Sequence, residues 1–236
     1  MRGRVYTIVP AAGSAVRMGL GYSKAYLDIS GVPLLVRTLR SLLKSHHIDS
    51  ITVAVRPNEV DLCVREIVRK YSLQDEVSVI GGGGKRQHTV GELLLRIPAD
   101  RDIVLIHDGG RPFVSERLIG DVLAGAVKWG AALAAIPATD TVKISDDGGE
   151  TVTATIRRER VYLAQTPQAF HRDLILAAHK RAMKGSFSAT DDASLIEETG
   201  HEVRLVEGDP RNIKITTLDD LEPARRILQG GGPGNG

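Results

Sequence analysis

The residues with the clearest chemical potential lie near the amino terminus, where an apolar run at residues 5–9 enters a loop of small residues at 10–19. Arg17 and Lys24 supply two cations in and just after this loop. Small residues let backbone N–H groups approach a ligand closely, and such donors beside an arginine and a lysine suit a polyphosphate. The glycine spacing matches neither G-x-G-x-x-G nor G-x-x-x-x-G-K-[ST]. The loop therefore predicts nucleotide chemistry of another kind, although a plain strand-to-helix connection with solvated cations fits the loop alone equally well.

A second candidate is Asp108, which directly follows the apolar run Ile103–Ile106 and His107. Mg²⁺ prefers one or two carboxylates together with phosphate oxygens of a substrate, and Gly109 and Gly110 leave space beside this one. A single carboxylate cannot build a metal cage, so such an ion would arrive and leave with a nucleotide. The alternative is an aspartate that caps a turn.

A third candidate is the run of four glycines at residues 81–84, which also follows an apolar run. Consecutive glycines are costly to order unless a ligand approaches the backbone there. We interpret this segment as the wall of a base or ribose pocket, with Arg86 and Thr89 opening the next helix. A flexible surface loop is the alternative.

Composition argues against several other functions. The chain has 236 residues and a formal net charge of +2, with no basic excess for nucleic acid or anionic lipid. Its histidines form no H-x-x-x-H or Cys/His cluster, and Ser14 lacks a G-x-S-x-G context, which argues against a zinc site and a serine hydrolase. The single cysteine, Cys63, fits the apolar face of a helix. Without a membrane-spanning run or a signal-peptide pattern, we expect a cytoplasmic protein with a small-molecule partner.

The elements that must position these residues alternate between strands and helices. Four predicted strand–helix pairs are residues 5–9 with Leu34–Leu43, Ile51–Val55 with 60–68, 77–80 with 90–97, and Ile103–Ile106 with 118–127. This order predicts right-handed βαβ units in a Rossmann-like, three-layer α/β sandwich with a mostly parallel sheet. Ligands of such sheets bind outside the carboxyl ends of the strands, which directs attention to the loops 10–24, 81–89 and 107–113.

The pattern changes after the apolar run 131–136. Residues 137–160 predict a β-hairpin that projects as an arm, which either packs back or contacts a second subunit. Beyond the hairpin, the sequence predicts a helix that starts at residues 190–192 and ends at Gly200. Two further strands are predicted at residues 203–206 and 212–215, followed by a closing helix at 218–228. We predict one domain over residues 1–229 and a disordered glycine-rich tail at 230–236.

Eight motifs in this order resemble one family, the 2-C-methyl-D-erythritol 4-phosphate cytidylyltransferases of the non-mevalonate isoprenoid pathway. The resemblance covers roughly residues 4–229, and each motif alone is weak. The motifs lie at residues 11–19, 24–27, 82–87, 107–112, 140–143, 165–168, 190–194 and 206–216.

This resemblance implies transfer of CMP from CTP to a sugar-alcohol phosphate, with release of pyrophosphate. Family roles carried to matching positions make Arg17, Lys24 and Lys214 catalytic, and Asp108 the ligand of Mg²⁺ or another divalent cation. The implied nucleotide-binding residues are Ala11, Ala12, Gly13, Gly82, Arg86, Thr89 and Asp108. The implied acceptor-binding residues are Arg111, Thr141, Arg158, Thr166 and Lys214, with Arg158 supplied by the partner subunit of a homodimer through the arm.

The residue types agree with that chemistry. An acceptor phosphate is already ionised near neutral pH, so neither a protein nucleophile nor a general base is needed, and cations at the charged oxygens do most of the work. The chain departs from the family pattern at Ala15, Ser23, Ala25 and Gly109–Gly110 without losing a charged group, which favours retained activity. Two alternatives stay open: a ribitol-5-phosphate cytidylyltransferase and a non-catalytic nucleotide-binding protein.

Overall fold

The protein is a three-layer α/β sandwich built around a seven-stranded sheet. The structure is a computed structural model, and it describes residues 5–13, 23–185, 187 and 189–230. The strands of the large sheet lie in the order β11-β7-β10-β6-β1-β4-β5. They are β1 (Val5–Pro10), β4 (Ile51–Val55), β5 (Val77–Gly81), β6 (Ile103–Ile106), β7 (Ala131–Pro137), β10 (Tyr162–His171) and β11 (Arg204–Glu207).

Helices cover both faces of this sheet. They are α1 (Leu34–Leu43), α2 (Val60–Cys63), α3 (Arg86–Leu94), α4 (Glu116–Trp129), α5 (Arg172–Lys184), α6 (Asp192–Glu197) and α7 (Leu221–Gln229). One core cluster joins the sheet to α1, α2 and α4, and a second joins it to α3, α5 and α6. Every residue of β6 is buried, as expected for a strand covered on both faces. The predicted fold class, a mostly parallel α/β sandwich, is confirmed.

Most predicted elements are present with small changes at their ends. The predicted bounds of α1, β4 and β6 match the structure. The predicted helix at 60–68 is α2 followed by a turn of wider π-helix, Val64–Arg69. Cys63 is fully buried there, and burial raises the pKa of its thiol to about 12, in agreement with an unreactive core residue.

Two differences concern the carboxyl-terminal half. The ten-residue strand β10 was not predicted, because its residues 165–168 are polar and include Pro167. It runs antiparallel between β6 and β7, and its pairing with β7 is interrupted between Ala164 and Gln168, which accommodates the proline. The predicted strand at 212–215 is wrong: the segment crosses the end of the sheet, held by a hydrogen bond from Ile215 N to Gly110 O of 2.9 Å, and joins no ladder.

The hairpin predicted within 137–160 is present as β8 (Val142–Ile144) paired antiparallel with β9 (Ala154–Ile156). Both strands are largely exposed. Two short strands, β2 (Asp28–Ile29) and β3 (Val32–Pro33), form a separate small ladder before α1. The predicted tail lies outside the described residues, apart from Gly230. Within the described part of the chain, no helix is long and apolar enough to cross a membrane.

Candidate active site

A cavity of about 680 Å³ opens at the carboxyl ends of β1, β4, β5 and β6. The strand order reverses direction around β1, and such a switch point is where open α/β sheets bind ligands. Nine of the fourteen residues that the family resemblance assigns line this cavity. They are Ala11, Ala12, Gly13, Lys24, Gly82, Arg86, Thr89, Asp108 and Lys214.

Asp108 lies at the centre of a positively charged shell. Its Oδ2 is 2.7 Å from Lys214 Nζ and 3.8 Å from Arg111 Nε, and its Oδ1 is 3.5 Å from Arg86 Nε. Burial alone would raise the pKa of this carboxyl group, but the attraction of Lys214 and Arg86, with a smaller one from Arg111, lowers it well below its usual range. Asp108 is therefore an ionised carboxylate at neutral pH.

Two lysines reach the cavity from distant parts of the chain. Lys24 begins a short 3₁₀ turn capped by the Ser23 hydroxyl, and its Nζ donates to Ile215 O at 3.3 Å. Lys214 arrives because the neighbouring Ile215 N donates to Gly110 O. A Cβ atom on Gly110 would lie 3.3 Å from Lys24 Nζ and 3.2 Å from Ile215 O. The glycine at 110 thus leaves room for the Lys24 ammonium group beside this segment.

The glycine-rich loop forms the opposite wall. Gly82 N donates to Val55 O at 2.7 Å, so the loop begins as an extension of the sheet. A Cβ on Gly82 would come within 2.7 Å of Thr89 Cγ2, so only glycine fits against this threonine. Thr89 Oγ1 lies 3.2 Å from Gly83 O and 3.1 Å from Lys85 O, and its single hydroxyl proton is shared between these carbonyls, which ties the loop to α3.

A buried network holds Arg86 in place. Its Nη1 lies 2.7 Å from Asp192 Oδ2, and Asp192 Oδ1 lies 3.2 Å from His179 Nε2. Burial opposes the charge on Arg86, but Asp192 and Asp108 outweigh it and raise the pKa of the guanidinium. Because Asp192 is almost fully buried, Arg86 has a fixed orientation toward Asp108.

His107, Arg111 and Thr166 lie directly behind Asp108. Thr166 Oγ1 accepts from Asp108 N at 3.0 Å, and Arg111 Nη1 donates to Asn212 O at 2.7 Å. Burial lowers the pKa of His107 to about 4, against smaller raising effects from Arg111 O and Asp108. Burial also lowers the pKa of Arg111, partly offset by Asp108. These residues support Asp108 from the core side.

Comparison with known proteins assigns the chain to a family. The sequence model of the 2-C-methyl-D-erythritol 4-phosphate cytidylyltransferases matches residues 5–230. The chain belongs to this family. The cytidylyltransferase of that name from Geobacter metallireducens is 42% identical over 228 residues, covering 95% of this chain and 97% of the relative. The one from Bacillus cereus (strain ATCC 14579) is 42% identical over 226 residues, covering 95% and 98%.

Solved structures of the family have the same fold. The 4-diphosphocytidyl-2C-methyl-D-erythritol synthase of Anaerococcus prevotii superposes with a TM-score of 0.82 at 33% identity, covering 95% of this chain and 98% of that one. The 2-C-methyl-D-erythritol 4-phosphate cytidylyltransferase of Thermus thermophilus gives 0.79 at 33% identity, covering 97% and 100%.

Of the five other residues that the family resemblance assigns, Arg111 and Thr166 lie behind Asp108 and are not among the residues that line the cavity. Arg17 lies outside the described residues. Thr141 and Arg158 are described but flank the exposed hairpin, and they are not among the residues that line the cavity. Arg158 Nη1 instead donates to Thr139 O at 2.9 Å. Within the part of a single chain that the structure describes, the two hairpin residues do not reach Asp108.

The sequence analysis missed one wall of the cavity. Arg56, Pro57 and Asn58 line it where the chain leaves β4, and Arg56 forms an ion pair with the buried Glu59. This wall could have been predicted, because ligands of parallel sheets bind at the carboxyl ends of the strands. The strand Ile51–Val55 was predicted correctly, and the loop that follows it lies at that edge of the sheet.

The carboxylate of Asp108 fits a divalent cation that is bound mainly by a substrate. Among the residues that the structure describes, no group of three or more His, Cys, Asp or Glu side chains could hold a metal ion. An ionised single carboxylate that lines the cavity is nevertheless the ligand that Mg²⁺ uses when substrate phosphates supply its other oxygens. The chemistry of the site therefore suits an ion that enters with a triphosphate.

Proposed function

We propose that the protein transfers CMP from CTP to 2-C-methyl-D-erythritol 4-phosphate and releases pyrophosphate. The observation that carries this proposal is that Lys24, Lys214 and Arg86 line one cavity together with Asp108 at the switch point of the sheet. Basic side chains outnumber acidic ones in the lining of this cavity, and this excess of positive charge suits a polyanion better than a neutral ligand. Membership in the family supports the same reaction.

The reaction joins two anions. An oxygen of the acceptor phosphate attacks the α-phosphorus of CTP, and the bond from that phosphorus to the oxygen bridging to the β-phosphate breaks. Pyrophosphate leaves with that electron pair, so negative charge grows on the leaving and equatorial oxygens. Lys24 and Lys214 would bind these oxygens, and Arg17 would do so from the amino-terminal loop.

The remaining residues would position the two substrates. The main chain of Ala11, Ala12 and Gly13 would contact the nucleotide, while Gly82 and Thr89 would hold cytosine and ribose at the glycine-rich wall. Asp108 would hold Mg²⁺, which when bound neutralises phosphate charge and aligns the phosphates. Arg111 and Thr166 would position the acceptor from behind Asp108.

We also propose that the active enzyme is a homodimer in which the hairpin of one subunit completes the site of the other. Arg158 and Thr141 flank that hairpin, and neither is among the residues that line the cavity of their own chain. Exposed apolar side chains at Ile144, Val152 and Ile156 support burial of the hairpin against a partner.

A test of the reaction uses the purified protein, CTP and Mg²⁺ with two acceptors assayed side by side. We expect pyrophosphate release with 2-C-methyl-D-erythritol 4-phosphate and much slower release with ribitol 5-phosphate. Preference for ribitol 5-phosphate would assign a different acceptor. CTP binding without product from either acceptor would mean a non-catalytic nucleotide-binding protein.

A test of the dimer mixes two strongly impaired variants. Arg158→Ala and Lys214→Met should each have low activity alone, because each lacks one cation of the site. If Arg158 acts across the interface, refolding or co-expressing the two together restores activity, because one site of each mixed dimer has both cations. No restoration in a verified mixed dimer contradicts the proposed arrangement.

A further inference from the structure

His107 forms hydrogen bonds with two residues of the site from inside the core. Its ring is completely buried, with Nε2 2.9 Å from Arg111 O and Nδ1 3.1 Å from Thr166 Oγ1. The same hydroxyl oxygen accepts from Asp108 N at 3.0 Å. One imidazole therefore joins the main chain of Arg111 to the hydroxyl that supports Asp108.

The chemistry of these atoms fixes where each proton lies. A carbonyl oxygen can only accept, so the contact with Arg111 O places the ring proton on Nε2. A fully buried imidazole is neutral unless a charge partner compensates it, and here both ring nitrogens face uncharged groups. Nδ1 is therefore an acceptor, and the Thr166 hydroxyl donates its only proton to it.

We propose that His107 is a positioning residue that fixes the direction of the Thr166 hydroxyl and, through it, the main chain of Asp108. Because the hydroxyl proton is used inside the core, Thr166 can accept hydrogen bonds but cannot donate one to an anionic oxygen of a substrate. Its role is to hold Asp108 N, so loss of this contact displaces the carboxylate that Lys214 and Arg86 surround. The consequences for turnover rest on the proposed function, whereas the proton positions do not.

The first test measures the ring directly in the free protein. A nitrogen NMR spectrum of the full chain with labelled histidine should show His107 as the neutral Nε2–H tautomer, with its signals identified by their loss in His107→Gln. Thr166→Val should shift the Nδ1 signal and leave Nε2 nearly unchanged. An Nδ1–H tautomer, or an Nδ1 signal insensitive to Thr166→Val, would overturn the proposal whatever the enzyme's activity.

The second test separates the two contacts with a matched pair of variants. In His107→Gln the side-chain amide nitrogen can replace Nε2 and keep the bond to Arg111 O, but the bond to Thr166 is lost. In His107→Asn the side-chain oxygen can replace Nδ1 and keep the bond from Thr166, but the bond to Arg111 O is lost. We expect His107→Gln to lower kcat/KM by roughly 10-fold, as for loss of one buried hydrogen bond, and His107→Asn to lower it less.

A double variant distinguishes positioning from simple structural support. Thr166→Val should lower kcat/KM at least as much as His107→Gln, because it removes both the bond to His107 and the acceptor of Asp108 N. Adding His107→Gln to Thr166→Val should cause little further loss, because both variants break the same chain of contacts from His107 to Asp108. Melting temperatures recorded alongside should not follow the order of the activities. Additive losses, or equal activities of His107→Gln and His107→Asn, would contradict the proposal. If the wild type is inactive, the proposed function fails while the tautomer measurement still stands.

Discussion

Replacing Lys214 with methionine should separate catalysis from stability. Lys214 Nζ lies 2.7 Å from Asp108 Oδ2, where a raw attraction of about 6 kcal/mol follows from an effective dielectric constant of about 20. The lysine side chain is 39% exposed, however, and Asp108 keeps Arg86 and Arg111 within 3.5 and 3.8 Å. Solvent screening therefore reduces the net loss to about 0–1 kcal/mol.

Activity should respond far more strongly than stability. Removing one preorganised cation from the phosphates lowers kcat by on the order of 10²-fold. The assay is pyrophosphate release at saturating CTP and acceptor, together with urea unfolding of Lys214→Met. Lys70→Met is the matched control, because Lys70 forms a surface pair with Glu66 at 3.5 Å, and it should change neither quantity. An unchanged kcat, or a loss of several kcal/mol in unfolding free energy, would refute this reasoning about Lys214.

Three further predictions concern the same site. Asp108→Asn should destabilise the protein by about 3–5 kcal/mol in urea unfolding, because it leaves a buried positive charge unbalanced. The same variant should have no measurable turnover, and a variant as stable as the wild type would contradict the prediction. Gly82→Ala should raise the KM for CTP roughly 10-fold, because the added Cβ displaces Thr89. Gly84→Ala is the control and should raise KM much less, because its Cβ would meet nothing within 4 Å. Equal effects of the two variants would contradict the close contact between Gly82 and Thr89. Burial lowers the pKa of His107 from 6.5 to about 4. As the pH falls, this histidine therefore binds a proton in the unfolded chain before it does so in the folded protein. The free energy of unfolding should fall by about 3 kcal/mol from pH 7 to pH 4. His107→Gln should flatten that slope, and an unchanged slope would contradict it.

Sequence patterns correctly predicted those strands and helices whose own residues favour a single type of secondary structure. Residues 103–106 are a continuous apolar run and residues 51–55 are apolar except for Thr52, so their burial in a parallel sheet follows from that pattern. The strand Tyr162–His171 could not be predicted in this way. Its polar residues 165–168 are buried because long-range hydrogen bonds satisfy them, as when Gln168 Nε2 donates to Asp191 Oδ2 at 2.7 Å.

The candidate site shows the same division. Asp108 and the glycine-rich loop follow predicted strands, so the topology of the sheet alone brings them together. Lys214 reaches the cavity because Asn212 Nδ2 donates to Thr166 O at 2.8 Å, a contact between residues far apart in the chain. The pattern of apolar residues predicted a strand at residues 212–215. Such a pattern carries no information about a long-range hydrogen bond like the one from Asn212 to Thr166. Family resemblance, rather than pattern, identified this lysine.

The central claim is that CTP binds with its phosphates between the amino-terminal loop and Asp108. A crystal structure of the protein soaked with CTP and Mg²⁺ tests this claim most directly. We predict density for the triphosphate beside Ala12, Gly13 and Lys24, with the cation on Asp108 and cytosine against Gly82. Density for CTP at another surface, distant from Lys24 and Asp108, would contradict the account.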